Sequence, residues 1–208
     1  MKKILISTGG SGGHVIPALT IFEHLKDKFE VCLVSDKRGS KFIEKNLLDF
    51  EIIDVPNIFS NLFMLPINIM FFIFSTIKSI IFLKKNKIEI LFSTGGYMSL
   101  PLCIASWILN LNIYLFEPNM VIGRANRLIL KFSKKILCYQ NSIIGLPEIY
   151  KSKIFIISPL LRKEIYNMKQ NMNKKILEPI KIIVLGGSQG AKFFDEKIKD
   201  LLINLSKF

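Results

Sequence analysis

Lys3-Ile4-Leu5-Ile6-Ser7-Thr8-Gly9-Gly10-Ser11-Gly12-Gly13-His14-Val15-Ile16-Pro17-Ala18 decides how this chain is read. An apolar run over 3–7 predicts a buried strand, a glycine loop follows at once, and a helix-period segment is expected over 15–28. The apolar part is too short for the core of a secretion signal and runs straight into the loop, so no secretion is expected. The same order recurs downstream. Strands are predicted at 30–35, 51–55, 88–93, 112–116, 136–139 and 153–157, and helices at 39–47, 66–85, 99–109, 121–134 and 147–150. Strand, turn and helix in alternation predict an α/β fold: a Rossmann-like, doubly wound parallel sheet covered on both faces. Ligands of such sheets sit at the carboxyl ends of the strands, so residues just after each strand carry most functional weight.

The chain has 208 residues, half of them hydrophobic and 22% charged, which excludes a disordered chain. Its three cysteines, Cys32, Cys103 and Cys138, are widely spaced and include no CxxC pair, which argues against a disulfide framework or a zinc knuckle. The net charge is +13, yet only Arg38, Arg124, Arg127 and Arg162 of the 29 basic residues are arginine. Lysine bias from an AT-rich genome, an anionic membrane surface, a phosphate-rich substrate and nucleic acid are all compatible with that charge. Nucleic acid rests on charge alone, without interleaved aromatics, and is not expected as a partner.

From Val55 to Ile77 there is no charged residue. The continuous helix expected over 66–83 is followed by Lys84-Lys85-Asn86-Lys87. A buried core helix, a membrane-spanning helix, and a helix that packs by one face and dips the other into a bilayer remain open. Beyond a polar stretch at 160–179, read as a linker, Ile180–Leu185 predicts a new strand, Gly186-Gly187-Ser188-Gln189-Gly190 a new glycine loop, and 191–206 a new helix. The expected organisation is a complete first domain over 1–159 and the first βα unit of a second over 180–208.

The first loop suits an anion: glycines let backbone N–H groups approach closely, and the helix start adds partial positive charge. It is neither a Walker A loop nor G-x-G-x-x-G, which argues against a nicotinamide dinucleotide. The same helix start disfavours a cationic His14, and a neutral imidazole there can act as a general base. Thr94-Gly95-Gly96-Tyr97 repeats the strand–glycine–helix junction. Glu117 and Asn119 stand at another strand end, where they can meet sugar hydroxyls or cap a helix. His24 reads as solvated surface; Arg124 and Arg127, three apart on one helical face, can pair with phosphate or form a solvated basic face.

Residues 6–18, 93–101, Glu117-Pro118-Asn119 with Gly123 and Asn126-Arg127, and 185–191 together resemble, in order, the MurG family of peptidoglycan N-acetylglucosaminyl transferases. The resemblance implies a GT-B fold, with two Rossmann-like domains facing across a cleft. It implies inverting, metal-independent transfer of N-acetylglucosamine from UDP-N-acetylglucosamine, with no cofactor. The acceptor is the 4-hydroxyl of undecaprenyl-diphosphate-muramoyl-pentapeptide, so lipid I becomes lipid II. It further implies donor contacts from Ser11, Gly12, Gly13, Asn119, Arg162 and Ser188, and His14 as base. Gly9, Gly10, Gly95, Gly96, Tyr97, Glu117, Gly186, Gly187, Gln189 and Gly190 would shape the supporting loops. Phe71, Phe72, Phe74, Lys78, Phe82, Lys84 and Lys85 would meet anionic inner-membrane lipids, placing the protein peripherally on the cytoplasmic side. Phe116 and Pro118 depart from the family's His-Glu-Gln-Asn, and Ser158-Pro159-Leu160-Leu161-Arg162 from its Gly-Asn-Pro-Val-Arg. Most of the family's donor domain lies beyond the length of this chain, so a truncated transferase, inactive alone, is expected. One half of a split enzyme and a non-catalytic module that holds lipid diphosphate at the membrane are the alternatives.

Overall fold

The computed structural model describes residues 1–43, 50–55, 65–163, 165, 198, 201, 203 and 204. The chain divides into two compact units, Met1–Asn167 and Met168–Phe208. The predicted strand, glycine loop and helix of the second unit fall almost wholly outside the described residues.

The first unit is a seven-stranded sheet whose strands all pair in parallel. They are β1 (Lys3–Ser7), β2 (Glu30–Ser35), β3 (Phe50–Ile52), β4 (Ile90–Ser93), β5 (Asn112–Phe116), β6 (Lys135–Cys138) and β7 (Ile154–Ile156), in the order β3-β2-β1-β4-β5-β6-β7. The order reverses between β1 and β4. There the helices that follow the two strands pack on opposite faces of the sheet, the position at which ligands of such folds bind.

The period-2 alternation of β1 builds both cores. Ile4 and Ile6 face α1 (Gly12–Leu25) and pack with Val15, Ala18, Leu33, Phe92 and Phe116. Leu5 faces the other way, among Leu91, Leu102, Ile113, Leu115 and Ile136. That side is covered by α2 (Leu65–Lys85), α3 (Ser99–Ile108) and α4 (Arg124–Ile129).

Several boundaries differ from expectation, each for a local reason. α1 begins at Gly12 rather than Val15, because extended Ser11 (φ −111°, ψ 162°) starts it and the last two glycines of the loop are already helical. The helix expected over 39–47 is a 3₁₀ turn at Gly39–Phe42, and residues 44–49 lie outside the described set. The helix expected over 121–134 is α4 followed by a 3₁₀ turn at Leu130–Phe132. Lys153 Nζ ends it by donating to the carbonyls of Leu130, Lys131 and Ser133 at 2.8, 3.1 and 2.6 Å. The short helix expected at 147–150 is a 3₁₀ segment, Glu148–Lys153, begun by extended Pro147. β3 stops at Ile52, and Asp54 beyond it pairs with Lys37.

α2 has its polarity inverted. Its buried side carries Ser75, Thr76, Ser79 and Leu83 and packs on α3, while Met70, Ile73, Phe74, Ile77 and Ile81 are exposed. The buried hydroxyls cost little, because Thr76 donates to the Phe72 carbonyl (2.9 Å) and Ser79 to that of Ser75 (2.8 Å). Of the aromatics expected at a membrane, Phe71 and Phe74 are exposed, while Phe72 and Phe82 are half-buried and pack in part against the core. Spacing explains the difference, since 72 and 82 follow the same face as 75, 76, 79 and 83. Among the described residues α2 is the one helix whose length and composition would let it cross a membrane.

Candidate active site

The two glycine loops meet at the reversal point. Thr8, just after β1, and Thr94, just after β4, are buried, and Thr94 Oγ1 donates to Thr8 Oγ1 at 2.8 Å. The Thr94 amide donates to the Ser7 carbonyl, extending the strand pairing one residue into the loops. Gly96 (φ +89°) then crosses Gly9 so closely that a Cβ would lie 3.1 Å from the Gly9 carbonyl oxygen. The crossing requires glycine both for the left-handed backbone and for the approach.

Asp36, at the end of β2, braces the first loop. It is buried and accepts from the Gly10 amide (2.8 Å), the Gly39 amide (2.7 Å) and Arg38 Nε (3.1 Å). Sequence reading gave Asp36 no role, although its position just after a strand was the signal. The loop holds its shape through this carboxylate and opens into α1, whose start lacks a side-chain cap.

His14, on the first turn of α1, reaches the second glycine loop. Its Nδ1 lies 2.7 Å from the Thr94 carbonyl oxygen. A carbonyl only accepts, so Nδ1 carries the proton and Nε2 of the neutral ring is left with a lone pair. That is the tautomer a general base needs, held by the second glycine loop. His24 is not free surface: its Nε2 bonds the Leu161 carbonyl oxygen at 3.0 Å.

The β5–α4 loop forms the other side. Glu117 is 2% exposed, and both its oxygens are engaged by protein donors. Oε1 accepts from Asn119 N and Nδ2 (3.3 and 2.9 Å), and Oε2 from Gly123 N and Asn126 Nδ2 (2.7 and 3.0 Å). The carboxylate therefore builds this loop instead of standing free for sugar hydroxyls, and it leaves Asn119 exposed at the tip. Asn126, to which the sequence alone assigns no role, ties Glu117 to the end of β5.

Ser11 and Gly13 are exposed and Gly12 is buried at the mouth of the loop. Tyr97 packs partly into the core. Arg162 is exposed beyond β7, and Arg124 and Arg127 are exposed on α4. Gly186, Gly187, Ser188, Gln189 and Gly190 lie outside the described residues. Among the described residues no three His, Cys, Asp or Glu side chains gather as a metal site would require.

The sequence signature of the glycosyltransferase family 28 N-terminal domain matches residues 4–138. A UDP-N-acetylglucosamine–N-acetylmuramyl-(pentapeptide) pyrophosphoryl-undecaprenol N-acetylglucosamine transferase of Pelagibacter ubique is 52% identical over 206 residues, 99% of this chain and 57% of that protein. The transferase of the same name from Rickettsia felis is 33% identical, over 95% of this chain and 56% of its own length. The crystal structure of Acinetobacter baumannii MurG superposes with a TM-score of 0.71 at 23% identity, over 97% of this chain and 57% of that one. Staphylococcus aureus MnaA, solved with UDP, superposes with a TM-score of 0.55 at 11% identity, over 75% of this chain and 43% of that one. At these identities the structural likeness is one of fold. The chain spans a little over half the length of the curated relatives it matches.

Proposed function

The chain belongs to glycosyltransferase family 28, by that family's N-terminal domain, and on that premise we propose that it is the acceptor-binding part of a peptidoglycan N-acetylglucosaminyl transferase. The reaction is inverting transfer of N-acetylglucosamine from UDP-N-acetylglucosamine to the 4-hydroxyl of the muramoyl sugar of lipid I, giving lipid II. The observation that carries this reading is His14, fixed by Thr94 with Nε2 available, at the point where both glycine loops meet. His14 takes the acceptor hydroxyl's proton as that oxygen bonds to the anomeric carbon. The bond from that carbon to the diphosphate breaks, and UDP leaves with the electron pair. Backbone amides of Ser11, Gly12 and Gly13, with Asn119, Arg162 and Ser188, are assigned to the donor and its diphosphate, and no metal is assigned a part.

The exposed apolar side of α2 supports peripheral docking on the inner membrane's cytoplasmic face, which brings the lipid-linked acceptor to the site. Phe71 and Phe74 would enter the acyl boundary, while Lys78, Lys84 and Lys85, all exposed, meet anionic headgroups.

The test joins this chain to the remainder of the Pelagibacter relative and measures lipid II formation from lipid I and UDP-N-acetylglucosamine. Turnover is expected, with a loss of roughly 10²–10⁴-fold in His14→Ala. A folded chimera that binds lipid I but loses nothing in His14→Ala removes His14 as base. A folded chimera without lipid I binding removes the whole reading.

A further inference from the structure

Behind His14 stands a polar chain that the proposed transfer leaves unused. Asn126 is 3% exposed, and its Nδ2 donates to the Phe116 carbonyl (3.1 Å) and to Glu117 Oε2 (3.0 Å). Both partners only accept, so the amide cannot be turned over and Oδ1 must face away from them. Among the described residues that buried Oδ1 has no hydrogen-bond partner, whereas buried polar atoms in folded proteins are nearly always paired.

Oδ1 and the imidazole both border the space beside Gly95. A Cβ placed on Gly95 would fall 3.1 Å from His14 Cε1, 3.2 Å from His14 Nδ1 and 3.5 Å from Asn126 Oδ1. The ring edge and the amide oxygen thus border one small space, which the missing side chain at Gly95 keeps clear. Glu117, itself buried, lies on the far side of the amide, and through Nδ2 it polarises the group so that more negative charge rests on Oδ1. The other ionised groups near the loop, Asp36 and Arg38, form a pair braced at Gly10.

We infer that Asn126 is a positioning residue for His14: its Oδ1, backed by the Glu117 carboxylate, presents the negative end of a fixed dipole to the imidazole and stabilises the imidazolium formed when His14 takes a proton. Oδ1 is too buried for a substrate to reach, so it acts through the ring and not on the ligand. A preoriented dipole away from water needs no rearrangement as the charge develops. The inference rests on His14 being the base, but the coupling can be measured without turnover.

The experiment is an NMR titration of the His14 Cε1–H resonance in this chain, in Asn126→Ser and in Glu117→Gln, with His24 on the same helix as internal control. The His14 midpoint is expected to move to lower pH by about half a unit in Asn126→Ser, and in the same direction in Glu117→Gln, with His24 unmoved. If Asn126→Ser does not fold, Glu117→Gln, which still offers the loop an acceptor, decides alone. A His14 midpoint unchanged in the folded variants overturns the inference and leaves the acceptor-binding reading standing. In the chimera, Asn126→Ser should lower kcat about tenfold at unchanged acceptor KM and add nothing in a His14→Ala background. A loss that persists in that background would mark a merely structural role and overturn the inference. A shifted midpoint without transfer would fault the assigned reaction and not the coupling.

Discussion

Gly96→Ala tests whether the crossing of the two glycine loops holds the sheet together at its reversal point. The substitution meets two costs. Alanine at φ +89° stands in the left-handed region, at roughly 1–2 kcal/mol. Its Cβ would also lie 3.1 Å from the Gly9 carbonyl oxygen, a backbone atom that can yield only if the first loop shifts, which adds about 1–2 kcal/mol of overpacking. The total, about 2–4 kcal/mol, is a large share of the roughly 5–15 kcal/mol that stabilises a domain. Urea unfolding followed by circular dichroism should show the midpoint falling by about 1–2 M, with the slope unchanged. Gly13→Ala is the counterpart. Gly13 lies inside α1, and a Cβ there meets only the Ser11 hydroxyl at 3.6 Å, so alanine should raise stability by about 0.5–1 kcal/mol. A midpoint in Gly96→Ala equal to that of the parent protein would refute the argument. So would equal losses in the two variants, since they would make glycine content rather than the crossing responsible.

Three further outcomes follow from the packing. Glu117→Ala leaves the amides of Gly123 and Asn126 without their buried acceptor and should cost about 2–4 kcal/mol by thermal unfolding, with Glu117→Gln losing less. At pH 8 a thiol reagent should modify half-buried Cys32 first; Cys103, whose thiol burial pushes up to about 12, should react only at the rate of unfolding, as mass spectrometry of timed samples would show. Phe74→Glu on the exposed side of α2 should weaken flotation with anionic vesicles at unchanged melting temperature, whereas Ser79→Leu, at 0% exposure against α3, should lower the melting temperature.

The sheet was legible because each strand is a short apolar run ended by a turn, and all seven appear within a few residues of their predicted places. The helix ends were less so. Lys153 halts the segment after α4 from 20 or more positions away in sequence, a contact that periodicity cannot register. At the site, the glycine loops and His14 could be read from strand-end positions, while the bonds that give them direction could not. Nothing local to Glu117 says that its carboxylate will close on Gly123 and Asn126, and nothing local to His14 says that Thr94, 80 residues on, fixes its tautomer. The inward turn of Phe72 and Phe82 was hidden for a different reason: α2 is apolar nearly all round, so hydropathy does not reveal which side the sheet receives.

α2 buries the small side chains Ser75, Thr76 and Ser79 beside Leu83 and leaves Met70, Ile73, Phe74, Ile77 and Ile81 outside, a distribution akin to that of helices that associate within bilayers. The apolar part of its seat is narrow, made by Leu83 with Phe72, Ile80 and Phe82 beside it. In aqueous solution it should be the first helix to exchange its amide hydrogens, and the step should show little heat-capacity change. A bilayer docked on the exposed side would then act as a second wall of the binding seat for this helix, and part of the domain's structural integrity would be lent by that surface.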